Sequence, residues 1–292
     1  MRVWLSMVCS MWAVFAPPAV AQDYGDTPYV QTPQVVVDKM LEMAKISSKD
    51  YLIDLGSGDG RMIITAAKRY GARGFGVDLN KSLVTLANRN AVKMGVANRA
   101  VFYERDLHET DITQADVLTI YLLPEVNLMV RPRILALKPG TRLVSHDYGF
   151  GEWQPDVEIV MDAPGKPVGR DQKSKVMYWV VPTQVAGKWV WQGPAGLYEL
   201  QIDQVFQKIT GTLSAGGKRV SLDKAALTGN NISFEAVLDR GRHEFTGKVI
   251  NNAIDGDMRV TGAAGTTQAW NATRTELRDA RFTDLTPGIT AR

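Results

Sequence analysis

The chain has 292 residues, 45% of them hydrophobic and 22% charged, which is enough apolar material for two globular domains of ordinary size. Its formal net charge of +3 is too small to argue for a nucleic-acid partner, and none is expected. The single cysteine, Cys9, lies close to the N-terminus within an apolar leader, so the rest of the chain has no disulfide, thiolate nucleophile or cysteine metal site.

Met1-Arg2, the apolar stretch that follows, and the small residues Ala19 and Ala21 form the pattern of a secretory signal peptide over residues 1–21, cut before Gln22. A retained anchor is the alternative, since the apolar stretch is near the lower limit for a span. Arg2 would keep the start cytoplasmic, so both readings place the body outside, periplasmic or secreted. No span is expected after cleavage. Residues 22–31 form a polar and aromatic lead-in. Thr32-Pro33 then opens a helix, with threonine as cap, proline in the first turn, and Val36, Met40, Met43 and Ala44 as its buried stripe.

Residues 51–80 carry the strongest local signal. Tyr51-Leu52-Ile53 reads as a buried strand that delivers Asp54 to the carboxyl edge of a parallel sheet, where open α/β sheets bind ligands. Gly56, Gly58 and Gly60 allow a sharp turn and close backbone approach to a flat ligand. Ile63, Ala66, Ala67 and Tyr70 follow helical spacing, and 74–77 form a second strand ending in Asp78. An acid about twenty residues beyond such a turn is placed to accept hydrogen bonds from both hydroxyls of a ribose. The run G-S-G-D-G departs from the dinucleotide spacing G-x-G-x-x-G, and Asp59 inside it would repel a phosphate. A nicotinamide-dependent (NAD) oxidoreductase is therefore disfavoured.

Ser82 is placed to cap a helix carrying Leu83, Leu86, Ala87 and Met94, and 100–103 form a third strand followed by Glu104, Arg105 and Asp106. A fourth strand, 115–120, runs into Tyr121-Leu122-Leu123-Pro124-Glu125, and a helix over 126–137 leads to a turn at 138–140. The fifth strand, 141–145, places His146 and Asp147 just past its end on the ligand edge. Residues 149–155 read as a loop, and 157–161 and 175–181 as two further strands. Beyond Pro182 the composition shifts to glycine, threonine and period-two alternation, as in 198–202, 232–237 and 243–249, which predicts a small antiparallel barrel or sandwich over 183–292. Trp189, Trp191 and Trp270 are expected to plug its core, and His243 to sit on its surface. His108, His146 and His243 are too dispersed for a metal site, and no metal is expected.

The runs P-Y-V-Q-T-P (28–33), D-L-G-S-G-D-G-R (54–61), Y-L-L-P-E-V-N (121–127) and S-H-D (145–147) carry a resemblance. Residues 29–182 resemble the class I S-adenosylmethionine-dependent methyltransferases, in a bacterial exported group within the wider class that includes the mitochondrial protein-lysine methyltransferases. The resemblance implies a domain over 22–182 with a Rossmann-like seven-stranded sheet, helices on both faces and a terminal hairpin with one antiparallel strand. It implies S-adenosylmethionine as cosubstrate, whose cations favour nearby carboxylates and which carries no phosphate. Export separates such an enzyme from the compartment where that molecule is made.

By the same resemblance Asp54, Gly56, Ser57, Gly58, Asp59 and Gly60 hold the cosubstrate, with Asp78 and Leu79 at its ribose. Asp106 with the Leu107 backbone, or Glu104 instead, meets the adenine amino group, and Tyr29 and Thr32 close over the ligand. YLLPE lacks the Asn or Asp followed by Pro-Pro-Tyr that many enzymes acting on nucleobase or glutamine amides have here, which speaks against nucleobase methylation. Tyr121, Glu125, His146 and Asp147 are the catalytic candidates, His146 with Asp147 as base or proton acceptor. The expected acceptor is a protein lysine or a small envelope molecule. A non-catalytic envelope protein that binds S-adenosylmethionine is the alternative.

Overall fold

The computed structural model describes residues 29–239, 241–261, 267–278 and 280. The leader reading over residues 1–21, with Cys9, lies outside the described residues. Among the described residues no helix is long and apolar enough to cross a membrane.

Strands β1 (Tyr51–Leu55), β2 (Arg73–Asp78), β3 (Ala100–Glu104), β4 (Val117–Ile120), β5 (Arg142–His146), β6 (Val157–Asp162) and β7 (Lys173–Val180) form one sheet in the order β3-β2-β1-β4-β5-β7-β6. β1 to β5 pair in parallel, and β7 runs antiparallel to both β5 and β6. β1 and β4 are buried almost throughout because helices cover both faces of the sheet, and such strands read as continuous apolar runs. The chain order reverses between β1 and β4, which opens a crevice at their carboxyl ends.

Helices α1 (Gln34–Met43), α2 (Arg61–Thr65) and α3 (Lys81–Lys93) contribute to one core cluster, and α4 (Pro124–Leu135) to another. α2 passes directly into a π-helical turn, Ala66–Tyr70, where regular helical spacing was expected to continue.

Two helix starts differ from the sequence reading. Thr32 makes no capping bond, and Pro33 occupies the N-cap of α1. The carboxamide of Asn80, not the hydroxyl of Ser82, caps α3 by accepting from the Ser82 and Leu83 N–H groups at 2.8 and 3.1 Å. The buried face of α3 is Leu83, Val84, Ala87 and Ala91, while Leu86 and Met94 are exposed.

The remaining strands, β8 (Gly187–Gly193), β9 (Gly196–Val205), β10 (Lys208–Ala215), β11 (Lys218–Ser221), β12 (Asp223–Thr228), β13 (Asn231–Leu238), β14 (Gly241–Ile250), β15 (Ala253–Thr261) and β16 (Thr267–Leu277), form a second, antiparallel sheet. Its order is β11-β10-β9-β8-β16-β15-β14-β13-β12, so its two edge strands are joined by Leu222 alone and the sheet curls into a nearly closed barrel. Trp189, Trp191 and Trp270 lie in its core with Tyr198, Phe234 and Phe245. Fully burying an aromatic or aliphatic side chain of this size contributes about 1.5–3 kcal/mol. His243 is not on the surface: it is buried, and its Nδ1 lies 3.0 Å from the Gly241 carbonyl oxygen.

The β9–β10 turn docks on the first sheet. Phe206 packs near-parallel to Trp153, and the Gln207 carboxamide oxygen accepts from Trp153 Nε1 at 3.0 Å. Trp153, in the loop before β6, is fully buried.

Candidate active site

A cavity of about 210 Å³ opens at the carboxyl ends of β1 to β4, roofed by the segment that leads into α1. The glycine turn forms its floor. Gly56 and Ser57 both donate their N–H to Val77 O, at 3.0 and 2.8 Å, which clamps the turn onto β2. Gly58 adopts φ +53°, and a Cβ there would come within 2.5 Å of the Tyr29 ring, so this glycine is what lets Tyr29 lie on the turn. Gly60 is turned away from the cavity. A Cβ there would strike Phe102 and Ala87, so Gly60 serves helix packing rather than ligand contact, which corrects its expected role.

Three carboxylates gather at this floor. Asp78 accepts from Gly58 N and Asn80 N, both at 2.9 Å, one bond to each oxygen, so it joins the turn to the start of α3. Each carboxylate oxygen has further accepting capacity, and Asp78 lines the cavity. Asp54 is buried at the end of β1 and accepts 2.6 Å from Thr119 Oγ1. Burial pushes its carboxyl up to about 7, eased by the Thr119 bond and reinforced by repulsion from Asp78 and Asp59. Asp59 is neutralised by Arg61, whose Nη2 lies 2.6 Å from Oδ2. Arg61 Nη1 also donates to Thr32 O at 2.6 Å and ties the lead segment to the turn.

The hydroxyls of Tyr29 and Ser57 are buried with no hydrogen-bond partner, and both residues line the cavity. Burial, then the charge of Asp59, raises the Tyr29 phenol above its ordinary value. Ile120, Leu122, Val126, Met62, Leu83 and Val77 supply apolar wall. Asp106, Leu107, Leu79 and Thr32 also line the cavity. One oxygen of Asp106 accepts from His108 N at 2.7 Å, and the other is not used in that bond. Glu104 ends β3, exposed, and does not reach the cavity wall. A flat apolar slot with unpartnered hydroxyls and an uncompensated buried acid fits a nucleoside that carries positive charge. Among the described residues no group of three or more His, Cys, Asp or Glu side chains could hold a metal ion.

The catalytic candidates separate. Tyr121 lines the cavity, and its hydroxyl donates to Asp147 Oδ2 at 3.3 Å. Burial, then the charge of Asp147, raises the Tyr121 phenol well above its ordinary value, so it stays protonated. Asp147, at φ +61°, is the first residue after β5, and its Oδ1 accepts from Lys175 N at 3.0 Å. Its Oδ2 is 2.7 Å from Lys166 Nζ. Although burial works against it, Lys166 and the Lys175 N–H hold the Asp147 carboxyl below its ordinary value.

His146 is the last residue of β5 rather than past its end. It is fully buried, with Nδ1 3.3 Å from Thr32 Oγ1 and Nε2 2.8 Å from Ser174 Oγ. Burial lowers its pKa more than Asp147 raises it, so the ring is neutral and sits behind Tyr121 at 4.0 Å between centroids. It lies off the cavity wall, which corrects its expected place at the ligand edge. Glu125 is exposed in the first turn of α4 and does not line the cavity; its carboxylate suits the positive end of that helix.

Sequence reasoning missed Thr119, Arg61 and Lys166. Arg61 directly follows the turn and was open to recognition there. Thr119 and Lys166 reach the site only through strand order.

Comparison with known proteins adds to this geometry. The family described as "ANTKMT methyltransferase domain" matches residues 54–157. A protein-lysine N-methyltransferase of Saccharolobus islandicus is 46% identical over 137 residues, covering 46% of this chain and 85% of that protein. A mouse ATP synthase lysine N-methyltransferase is 32% identical over 130 residues, covering 44% of this chain and 52% of that protein, so the chain spans about half of this relative's length. The structure of a Salinibacter ruber RNA methyltransferase with S-adenosyl-L-homocysteine is 44% identical, covers 53% of this chain and 96% of that one, and superposes with a TM-score of 0.49.

Proposed function

Since the chain belongs to the ANTKMT family of class I S-adenosylmethionine-dependent methyltransferases, and its cosubstrate is therefore S-adenosylmethionine, we propose that the methyl acceptor is a lysine side chain of a protein. The observation that carries this reading is the 46% identity to an archaeal protein-lysine methyltransferase across 85% of that protein.

When bound, S-adenosylmethionine supplies a methyl group activated by its sulfonium. Asp54, Asp78, Ser57 and Tyr29 are the residues that would hold it, with the wall over Ile120 and Leu122 against its base. The protein's part is to align the nucleophile and exclude water. An acceptor ammonium must lose its proton before its nitrogen can attack, and the site must not hold that proton in place. Tyr121 supports such a role: its proton is directed to Asp147, so its oxygen offers lone pairs to a donor arriving from the cavity. The stacked rings of Tyr121 and Tyr148, 6.3 Å apart, add an aromatic surface of the kind that favours alkylated ammonium groups.

The same proposal places the body outside the cytoplasm. That part is supported by the residue pattern of 1–21 alone, and cell fractionation with an N-terminal sequencing step tests it. The acceptor is tested with methyl-labelled S-adenosylmethionine and a total envelope extract, followed by acid hydrolysis and separate protease and nuclease digestions. Label recovered as methyl-lysine supports the reading. Label that survives protease and is released by nuclease would overturn it.

A further inference from the structure

We propose that Lys166 is a positioning residue for methyl transfer: its ammonium keeps Asp147 a paired carboxylate, and so leaves the Tyr121 oxygen as a neutral acceptor facing the incoming amine. Lys166 comes from the β6–β7 loop and reaches inward, its side chain only 8% exposed. Its Nζ lies 2.7 Å from Asp147 Oδ2 and 2.6 Å from Lys173 O. The same Asp147 oxygen accepts from Tyr121, which stands on the cavity wall. A continuous line therefore runs from the cavity through a phenol and a carboxylate to an ammonium.

Lysine is rarely buried unless paired, and a surface position would have been less costly if the residue served only to close its loop. Without Lys166, Asp147 would be an unpaired carboxylate directly behind the Tyr121 hydroxyl. Such a charge attracts the acceptor as an ammonium and holds the proton that must leave before the nitrogen can attack. The Asp147–Lys166 pair has no net charge and removes that trap.

The other groups around Asp147 do not take over this task. His146, 3.5 Å from Asp147 Oδ2, is a buried ring bonded to Thr32 and Ser174. The Tyr148 ring stacks on Tyr121, and Lys175 gives Asp147 its N–H while its ammonium pairs with Glu158 at 3.0 Å.

This inference rests on an amine acceptor, and two measurements on the whole chain keep its failure distinct from the failure of that reading. The first is the pH dependence of labelled methyl transfer to poly-L-lysine by wild type, K166M and K166R. For K166M the acidic limb of the kcat profile should move up by about one pH unit or more, which lowers kcat about tenfold on that limb. KM for poly-L-lysine should not rise, and K166R should restore the wild-type limb. An unchanged limb in K166M, or a higher KM at constant kcat, would overturn the proposal.

The second measurement needs no acceptor. The chain has three histidines, so the imidazole of His146 is assignable by NMR titration. Loss of the Lys166 charge should raise its midpoint in K166M and not in K166R, and an equal midpoint in all three proteins would overturn the charge arrangement. If wild type labels no poly-L-lysine but the midpoint moves as expected, the lysine reading fails and the role of Lys166 in charging Asp147 stands.

Discussion

Replacing Asp54 by Asn should make the ligand-free protein more stable and the enzyme worse. The folded protein raises this buried carboxyl from 3.8 to about 7. Between those values the folded chain keeps a proton that the unfolded chain has lost. The associated stability is fully present below about pH 4 and is lost as pH rises through about 7. A difference of about three units at 1.36 kcal/mol each gives an upper bound of roughly 4 kcal/mol at pH 8. Asparagine keeps the oxygen that accepts from Thr119 and removes the charge, so it recovers part of that sum.

Thermal melting at pH 8 should show D54N above wild type by about 5 °C or more, with the two curves converging toward pH 4. Calorimetry with S-adenosylmethionine should show the opposite order, a loss of about 10–100-fold for one charge-assisted contact. Wild-type affinity should also weaken as pH falls below about 7, because the protonated acid no longer meets a cation. A D54N melting point at or below wild type at pH 8 would refute the idea that this acid is held charged at the protein's expense.

Asp78→Ala removes a carboxylate that both ties the turn to α3 and lines the cavity. S-adenosylmethionine affinity should fall by at least one charge-assisted hydrogen bond, about 1.5–3 kcal/mol, and unchanged affinity by calorimetry would remove Asp78 from the ribose. Gly58→Ala adds a Cβ that meets the Tyr29 ring at 2.5 Å from a left-handed backbone. Binding should be lost with displacement of Tyr29, visible as increased protease cleavage ahead of α1. Trp270→Ala empties the barrel core and should cost about 3–5 kcal/mol by denaturant unfolding, with S-adenosylmethionine affinity unchanged, since no barrel residue lines the cavity.

The floor of the site was legible in the sequence because it is local. Asp54, the glycine turn and Asp78 belong to one strand–turn–helix–strand unit, whose geometry is set by hydrophobic period, glycine conformation and chain length. The same local rules failed at the caps of α1 and α3, where several polar side chains compete for the same N–H groups and packing chooses between Asn80 and Ser82. Period-two alternation likewise announced antiparallel strands in the C-terminal part, but the joining of its edges through Leu222 depends on accumulated twist and register, which no short window carries.

The charge around the acceptor end was decided by tertiary structure alone. His146 and Asp147 are neighbours in the chain, yet one is a neutral ring sealed behind Tyr121 and the other a carboxylate paired with Lys166. That difference arises because β7 inserts antiparallel between β5 and β6 and brings Ser174, Lys175 and the loop bearing Lys166 beside the end of β5. Titration depends on which charges and how much solvent lie within a few ångströms in space, and distance along the chain does not encode either. The sequence on its own determined which groups are available for the chemistry; the strand order determined which of them carry charge and which face the ligand.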